Sequence, residues 1–329
     1  MDGGSIPPIS TIAVVARWES SLPYHDEEHM TVVALPTETL RRRLAPRLPG
    51  RRLETWAPGD AAPFPGPVDL LVLPYMIAAP ELRALEGLPI GLVQSQTLGY
   101  DGVREHLPAG LRYCNAVDVH EASTGELALA LVLADLRGIP DAVRDAATGT
   151  WSHRRRRGLA GRRVLVVGVG GVGREIVARL EPFGVDVVRV ARTARDGVHG
   201  ADELPALLPT ADVVILAVPL GDATRGLVDA PFLAAMADGS LLVNVSRGPV
   251  VDTDALLAEV SSGRLRAALD VTDPEPLPAD HPLWSAPGVL ITPHSGGDTD
   301  AMDERVDAVV LEQVRRLEAG EPPANLVIG

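Results

Sequence analysis

No lysine occurs in the 329 residues, so all 30 basic side chains are arginines. This excludes lysine Schiff bases, a lysine general base and the phosphate-gripping lysine of P-loop enzymes. Cysteine is nearly as scarce. The single Cys114 has no partner for an intramolecular disulfide and no His/Cys cluster beside it, so a buried thiol in a reducing compartment is expected. Positive charge is outweighed, with a net charge of -14, which opposes general attraction to nucleic acid or acidic membranes. No stretch reaches the ~18 apolar residues of a membrane span. Residues Met1 to Pro8 lack the basic and then apolar run of a secretion signal. The expectation is a cytoplasmic protein that binds neither nucleic acid nor membrane.

What remains is 46% hydrophobic and 22% charged, enough for two domains, each with its own core. Strand-like runs at Thr11 to Arg17, Met30 to Pro36, Val68 to Leu73 and Ile90 to Gln94 alternate with Leu-rich helical patterns such as Glu38 to Leu48. That rhythm favours a parallel sheet covered on both faces. From Glu121 to about Leu136 a helical pattern is apolar almost all round, which suits a spine buried between domains. Ala147 to Gly161 then turns polar and carries Arg154 to Arg157. Without interleaved aromatics these four arginines read as a solvated linker rather than a phosphate patch.

A second series follows at Val164 to Gly168, Val185 to Ala191, Val213 to Val218, Leu241 to Val245, Ala267 to Val271 and Val289 to Ile291. Six strand candidates with intervening helices make a dinucleotide-sized unit. An amphipathic helix from Asp300 to Ala319 ends at Gly320, before Pro322 and Pro323.

In V-L-V-V-G-V-G-G-V-G-R-E-I-V-A-R-L an apolar strand enters Gly168-x-Gly170-x-x-Gly173 and passes directly into a helix. Gly168 permits the tight turn, Gly170 lets backbone approach a pyrophosphate, and Gly173 allows close helix-to-strand packing. The pyrophosphate would sit at the helix N-terminus. About 20 residues further on, an acid would bind the ribose hydroxyls of NAD. Here Ala191 stands at that place, followed by Arg192, Thr193 and Arg195. Loss of the acid removes repulsion of a 2'-phosphate, and the arginines supply charge-assisted donors, so NADP(H) is favoured. Solvated loop arginines with NAD(H) held without its usual acid are the other reading.

Polar groups recur after the later strands in N-V-S-R-G-P-V-V-D (244 to 252), A-L-D-V-T-D-P-E-P-L-P (268 to 278) and L-I-T-P-H-S-G-G (290 to 297). Ligands bind at such strand ends in open α/β sheets. An arginine, a glutamate and a histidine there combine an anion anchor, a carboxylate and a proton carrier. His25-Asp26-Glu27-Glu28-His29 fits a zinc-peptidase pattern. It lacks helical apolar spacing, however, so a solvated loop and no metal are expected.

These segments, with L-G-Y-D-G-V near residue 100 and V-P-L-G-D-A-T-R-G-L-V (218 to 228), resemble the D-isomer-specific 2-hydroxyacid dehydrogenases over nearly the whole chain. R-T-x-R with L-D-V-T-D-P-E-P-L-P is most similar to the NADPH-dependent glyoxylate and hydroxypyruvate reductases. The resemblance implies an α/β fold of two Rossmann-like or flavodoxin-like domains with parallel sheets, the C-terminal helix returning to the first domain. Residues 1–120 with 300–329 would bind substrate, and 121–299 would bind the dinucleotide.

The resemblance makes Arg247, Glu275 and His294 the catalytic set. His294 would supply the proton, Glu275 would orient it, and Arg247 would clamp the substrate carboxylate beside the amides of Leu98 and Gly99. Gly171, Val172, Val218, Pro219, Thr224, Val245, Ser246, Asp270 and Gly296 would join the glycine motif and the arginine turn at the cofactor. Trp151 and Trp284 would wall the substrate pocket, with one route through a partner subunit, or pack in core and linker. A homodimer through the cofactor domains and a small 2-oxo or 2-hydroxy acid substrate are implied. A phosphite-oxidising relative would need lysine at Leu98, which this chain lacks. A nucleotide-sensing, corepressor-like protein on the same fold is the reading from another class, and the intact Arg247, Glu275 and His294 argue against it.

Overall fold

The computed structural model describes residues 30–329. The strand expected at Thr11 to Arg17 and the His25 to His29 motif lie outside the described residues. Two compact units are present: the described residues up to Ala116 with Val306–Gly329, and Val117–Arg305.

The first unit holds strands β1 (Val32–Leu35), β2 (Arg52–Thr55), β3 (Val68–Val72), β4 (Ile90–Gln94) and β5 (Tyr113–Cys114), with helix α1 (Glu38–Leu44) after β1. Thr37 caps α1 by accepting from the Leu40 amide, and Glu38 suits the positive end of its dipole. The sheet order is β13-β5-β4-β3-β1-β2, where β13 (Leu326–Ile328) alone runs antiparallel to its neighbour. The continuous apolar runs of β1 and β3 are buried, as a sheet covered on both faces requires. Cys114 is buried and free, and burial pushes its thiol up to about 11, so it is an inert core group.

The second unit contains helices α2 (Glu121–Arg137), α3 (Ile139–Ala147), α4 (Gly171–Leu180), α5 (Ala230–Ala235) and α6 (Thr253–Ser261). Its strands are β6 (Arg163–Val167), β7 (Asp186–Ala191), β8 (His199–Gly200), β9 (Val213–Leu216), β10 (Leu241–Asn244), β11 (Arg266–Leu269) and β12 (Val289–Ile291). All six strands expected from the apolar runs are present. The sheet is parallel in the order β12-β11-β10-β9-β6-β7-β8.

Alternate residues serve opposite faces of this sheet. Leu165, Val167, Val214 and Leu216 join one core with Phe232, Leu233 and Leu256. Val164, Val166, Val213 and Ile215 join another with Ala128, Val132 and Ile176. Leu165→Ala is expected to cost about 2–5 kcal/mol as a buried cavity, read as a lowered denaturation midpoint.

The helix expected as a spine is α2, and its buried face packs within the second unit against α4 and the sheet. Three of the four arginines expected as solvated make specific contacts. Arg154 and Arg156 pair with Asp141 on α3, and Arg157 donates to the Gly239 carbonyl. Asp141 and Asp145 of α3 hold Arg154 and Arg156, although the segment itself has no regular structure. The helix α7 (Ala301–Glu318) ends at Gly320, whose φ of 64° suits the left-handed stop. Within the first unit, its later turns pair Asp307 with Arg43 and Glu318 with Arg51.

Candidate active site

Strand register aligns the functional loops. Val167 pairs with Leu216, Leu216 with Asn244, Asn244 with Leu269 and Leu269 with Ile291. The loops after all five strands therefore leave the sheet at one level, along its carboxyl edge. Strand order reverses around β6, the switch point at which open α/β sheets leave a crevice for a ligand.

Gly168 has φ of 102°, and an added Cβ would strike the Ala217 carbonyl. A Cβ at Gly173 would strike the Gly168 carbonyl, so β6 and α4 approach as only glycine allows. At Gly170 the space within 4 Å is open. The amides of Gly171, Val172 and Gly173 begin α4 and have no partner within the helix. Open space over a backbone of free amides fits a pyrophosphate.

At the end of β7, Ala191 stands where the acid was sought. The chain then turns, with Arg195 and Val198 exchanging backbone hydrogen bonds of 2.9 and 2.8 Å across Asp196 and Gly197. Arg192, Thr193 and Arg195 are exposed, and neither arginine is paired with an acid among the described residues. Most arginines elsewhere are neutralised locally, so these two present uncompensated positive charge at the crevice edge.

His294 Nδ1 lies 2.5 Å from Glu275 Oε1. Burial by itself raises the Glu275 carboxyl. The His294 hydrogen bond and charge, a Thr272 amide and the Arg247 charge together outweigh that and hold it below the ordinary glutamate range. A depressed value means that the pair favours the folded state at neutral pH, a contribution lost as pH falls through the lowered pKa. With Nδ1 engaged, Nε2 is left to carry a transferable proton.

Arg247 is brought into electrostatic reach of Glu275 by close contact of their loops: a Cβ at Gly248 would strike the Thr272 carbonyl. Asn244, unassigned by sequence, is buried and organises the arginine loop. Its Nδ2 donates to the Arg247 carbonyl at 3.0 Å, and its Oδ1 accepts from the Ser246 amide and hydroxyl at 3.0 and 2.6 Å.

Asp270, expected at the cofactor, is only 3% exposed. Its Oδ1 accepts from Thr292 Oγ1 at 2.7 Å and the Ser295 amide at 2.9 Å, and its Oδ2 accepts from the Gly296 amide at 2.9 Å. The Asp270 carbonyl accepts from the His294 amide at 2.8 Å. Asp270 thus binds the loop on both sides of His294, whose φ is 50°, a left-handed conformation that side-chain-bearing residues hold only when their surroundings impose it.

Other expected cofactor residues are placed as follows. Gly296 is buried with its amide committed to Asp270. The Val245 side chain lies in the core and its amide donates to the Leu216 carbonyl, while the Ser246 hydroxyl and amide are bonded to Asn244 and its carbonyl accepts from Arg247 Nη1. Val218 packs partly against the core. Thr224 Oγ1 donates to the Pro219 carbonyl at 2.6 Å and closes that loop. Neither tryptophan is a core residue: Trp151 is 97% exposed, and Trp284 is half exposed with Nε1 donating to the Pro278 carbonyl. Local packing does not cover a ring in the extended segment after α3.

In the first unit, the turn after β4 is tied from within. Asn115 Nδ2 donates to the Leu98 carbonyl at 2.8 Å, and Thr97 Oγ1 donates to the Gly99 carbonyl at 3.0 Å. With both carbonyls held, the Leu98 and Gly99 amides have no acceptor among the described residues, an arrangement suited to a carboxylate. Among the described residues no group of His, Cys, Asp and Glu is arranged to hold a metal.

Residues 129–296 match the family model described as D-isomer specific 2-hydroxyacid dehydrogenase, NAD binding domain. The chain is 31% identical over 255 residues to a glyoxylate reductase/hydroxypyruvate reductase of Homo sapiens, covering 73% of this chain and 78% of that one. It is 34% identical over 246 residues to an (S)-sulfolactate dehydrogenase of Chromohalobacter salexigens, covering 72% and 78%. A D-isomer specific 2-hydroxyacid dehydrogenase structure from Xanthobacter autotrophicus Py2, in complex with NADPH and MES, is similar with a TM-score of 0.76 and 31% identity over 91% of this chain and 98% of that one.

Proposed function

The chain belongs to the D-isomer specific 2-hydroxyacid dehydrogenases, and from that premise we propose that it reduces a small 2-oxo acid such as glyoxylate or hydroxypyruvate to the D-2-hydroxy acid, using NADPH. Nicotinamide-dependent chemistry on small 2-oxo and 2-hydroxy acids is common ground for the family; substrate and nucleotide preference are the proposal. The observation that carries it is the His294–Glu275 hydrogen bond, formed within reach of the Arg247 charge.

When bound, the reduced nicotinamide supplies hydride to the 2-oxo carbon. His294 Nε2 donates the proton that the nascent alkoxide takes up, so charge never accumulates on oxygen. Glu275 fixes the tautomer and orientation of the imidazole. The planar Arg247 guanidinium binds the substrate carboxylate and polarises the carbonyl. Asp270 would lie beside the nicotinamide carboxamide when the cofactor is bound. The glycine loop would hold the pyrophosphate, and the similarity to the human glyoxylate reductase/hydroxypyruvate reductase supports the substrate class.

Purified protein should consume NADPH on addition of glyoxylate or hydroxypyruvate, followed by absorbance. No turnover across a broad panel of 2-oxo acids would remove the enzymatic reading and favour a nucleotide-sensing role. Glu275→Gln should lower kcat for reduction about 10-fold, because the imidazole loses the carboxylate that orients it. An unchanged kcat would separate Glu275 from the proton donor.

We further propose a cytoplasmic homodimer joined through the dinucleotide-binding units. Exposed Ile139, Val143 and Trp151 on and after α3 support that surface, because monomers seldom leave such a group uncovered. Sedimentation of the wild type beside Trp151→Ser checks it.

A further inference from the structure

His120 is buried immediately before α2, far in sequence from any catalytic motif. Its Nδ1 lies 3.1 Å from the Gly297 carbonyl. A carbonyl only accepts, so Nδ1 carries the hydrogen. Contact is close enough that a Cβ at Gly297 would stand 2.5 Å from that nitrogen. The same turn is bonded further to the chain that follows the His294 segment. Ser123 Oγ lies 3.0 Å from Thr299 Oγ1, and Arg305 Nη1 donates to the Val119 carbonyl at 3.0 Å. A Cβ at Gly296 would meet Thr124 Cγ2 at 3.3 Å.

The other side of this turn meets the glycine loop. Buried Glu121 accepts from the Asp118 amide at 2.9 Å and the His120 amide at 3.1 Å. Its Cγ lies where a Cβ on Gly171 would stand, 2.6 Å away. Glycine at 171 is thus required by Glu121 as well as by a ligand. One helical turn therefore touches both the loop that would hold the pyrophosphate and the loop that carries the proton donor.

We infer that His120 is a positioning residue for the reaction: it anchors the Gly296-Gly297 segment behind His294, while Glu121 seats the same turn on Gly171. This rests on the proposed catalytic role of His294. Asp270 restrains the His294 loop from the sheet side, and His120 restrains it from the helix side. Two restraints from different elements hold a left-handed residue more firmly than one.

His120→Ala should lower kcat about 10-fold, as a small misplacement of a catalytic group does, and leave KM for NADPH within about twofold because the cofactor loop keeps its own contacts. His120→Asn places a donor near Nδ1 and should recover most of that loss. A second reading is independent of turnover: the downfield imidazole N–H resonance of the His294–Glu275 pair, assigned by its disappearance in Glu275→Gln, should broaden or shift in His120→Ala and return in His120→Asn. Alanine with unchanged kcat and unchanged resonance would overturn the inference, as would equal impairment by alanine and asparagine. If the wild type turns over no 2-oxo acid, the functional proposal fails, and the resonance still decides whether His120 positions His294.

Discussion

Replacing His294 by alanine is expected to reduce kcat for 2-oxo acid reduction by about 10³-fold, inside the 10²–10⁴ range that general acids contribute. No neighbouring group can take over the donation. Glu275 is held as a carboxylate below its ordinary range, and Arg247 does not release its proton. Binding of NADPH should persist, since the glycine loop and arginine turn do not depend on the imidazole. Fluorescence titration of NADPH alongside single-turnover kinetics separates the two effects. Residual turnover within about tenfold of wild type would assign the proton to another source, since removing a general acid costs more.

The second large effect concerns the nucleotide. Arg192→Ala should lower kcat/KM for NADPH by about 10-fold or more, the worth of one charge-assisted hydrogen bond of about 1.5–3 kcal/mol, with little change for NADH. Ala191→Asp should act more strongly. It restores the acid that binds ribose hydroxyls and sets a negative charge against the 2'-phosphate, so attraction for one nucleotide and repulsion of the other combine. The NADPH to NADH ratio should then swing by about 10³-fold, some 4 kcal/mol. Paired kcat/KM measurements with both nucleotides test this. A wild-type preference for NADH that survives Arg192→Ala would overturn the reading of the turn.

Much of this was legible because the determining patterns are local. The runs Val164 to Val167, Val213 to Leu216 and Leu241 to Val243 are continuous and apolar, so they form buried parallel strands. The glycine spacing defines a strand-turn-helix, and Ala191 is found by counting from it. Edge strand β2 was not legible, since Arg52 to Thr55 lack a buried pattern, and β5 and β8 have two residues each. Such strands exist because a neighbouring strand offers them a ladder. Helix α3 buries no residue, which left its apolar side without a local signature.

Within the candidate site the division is sharper. The chemical types of Arg247, Glu275 and His294 were readable from their segments, and so was the positive turn at Arg192 and Arg195. Their arrangement was not. Asp270 meets the His294 loop 25 residues later at Ser295, and His120 meets it 177 residues later at Gly297. The sequence by itself determined which buried parallel strands form, where a dinucleotide phosphate would sit and which groups could move a proton, because these follow from apolar runs, glycine spacing and side-chain chemistry over a few residues. Only the tertiary structure decided that Asp270 and His120 restrain His294, that Glu121 rests on Gly171 and that Trp151 stays exposed. Those outcomes depend on which distant backbones share a register and which surfaces packing leaves uncovered.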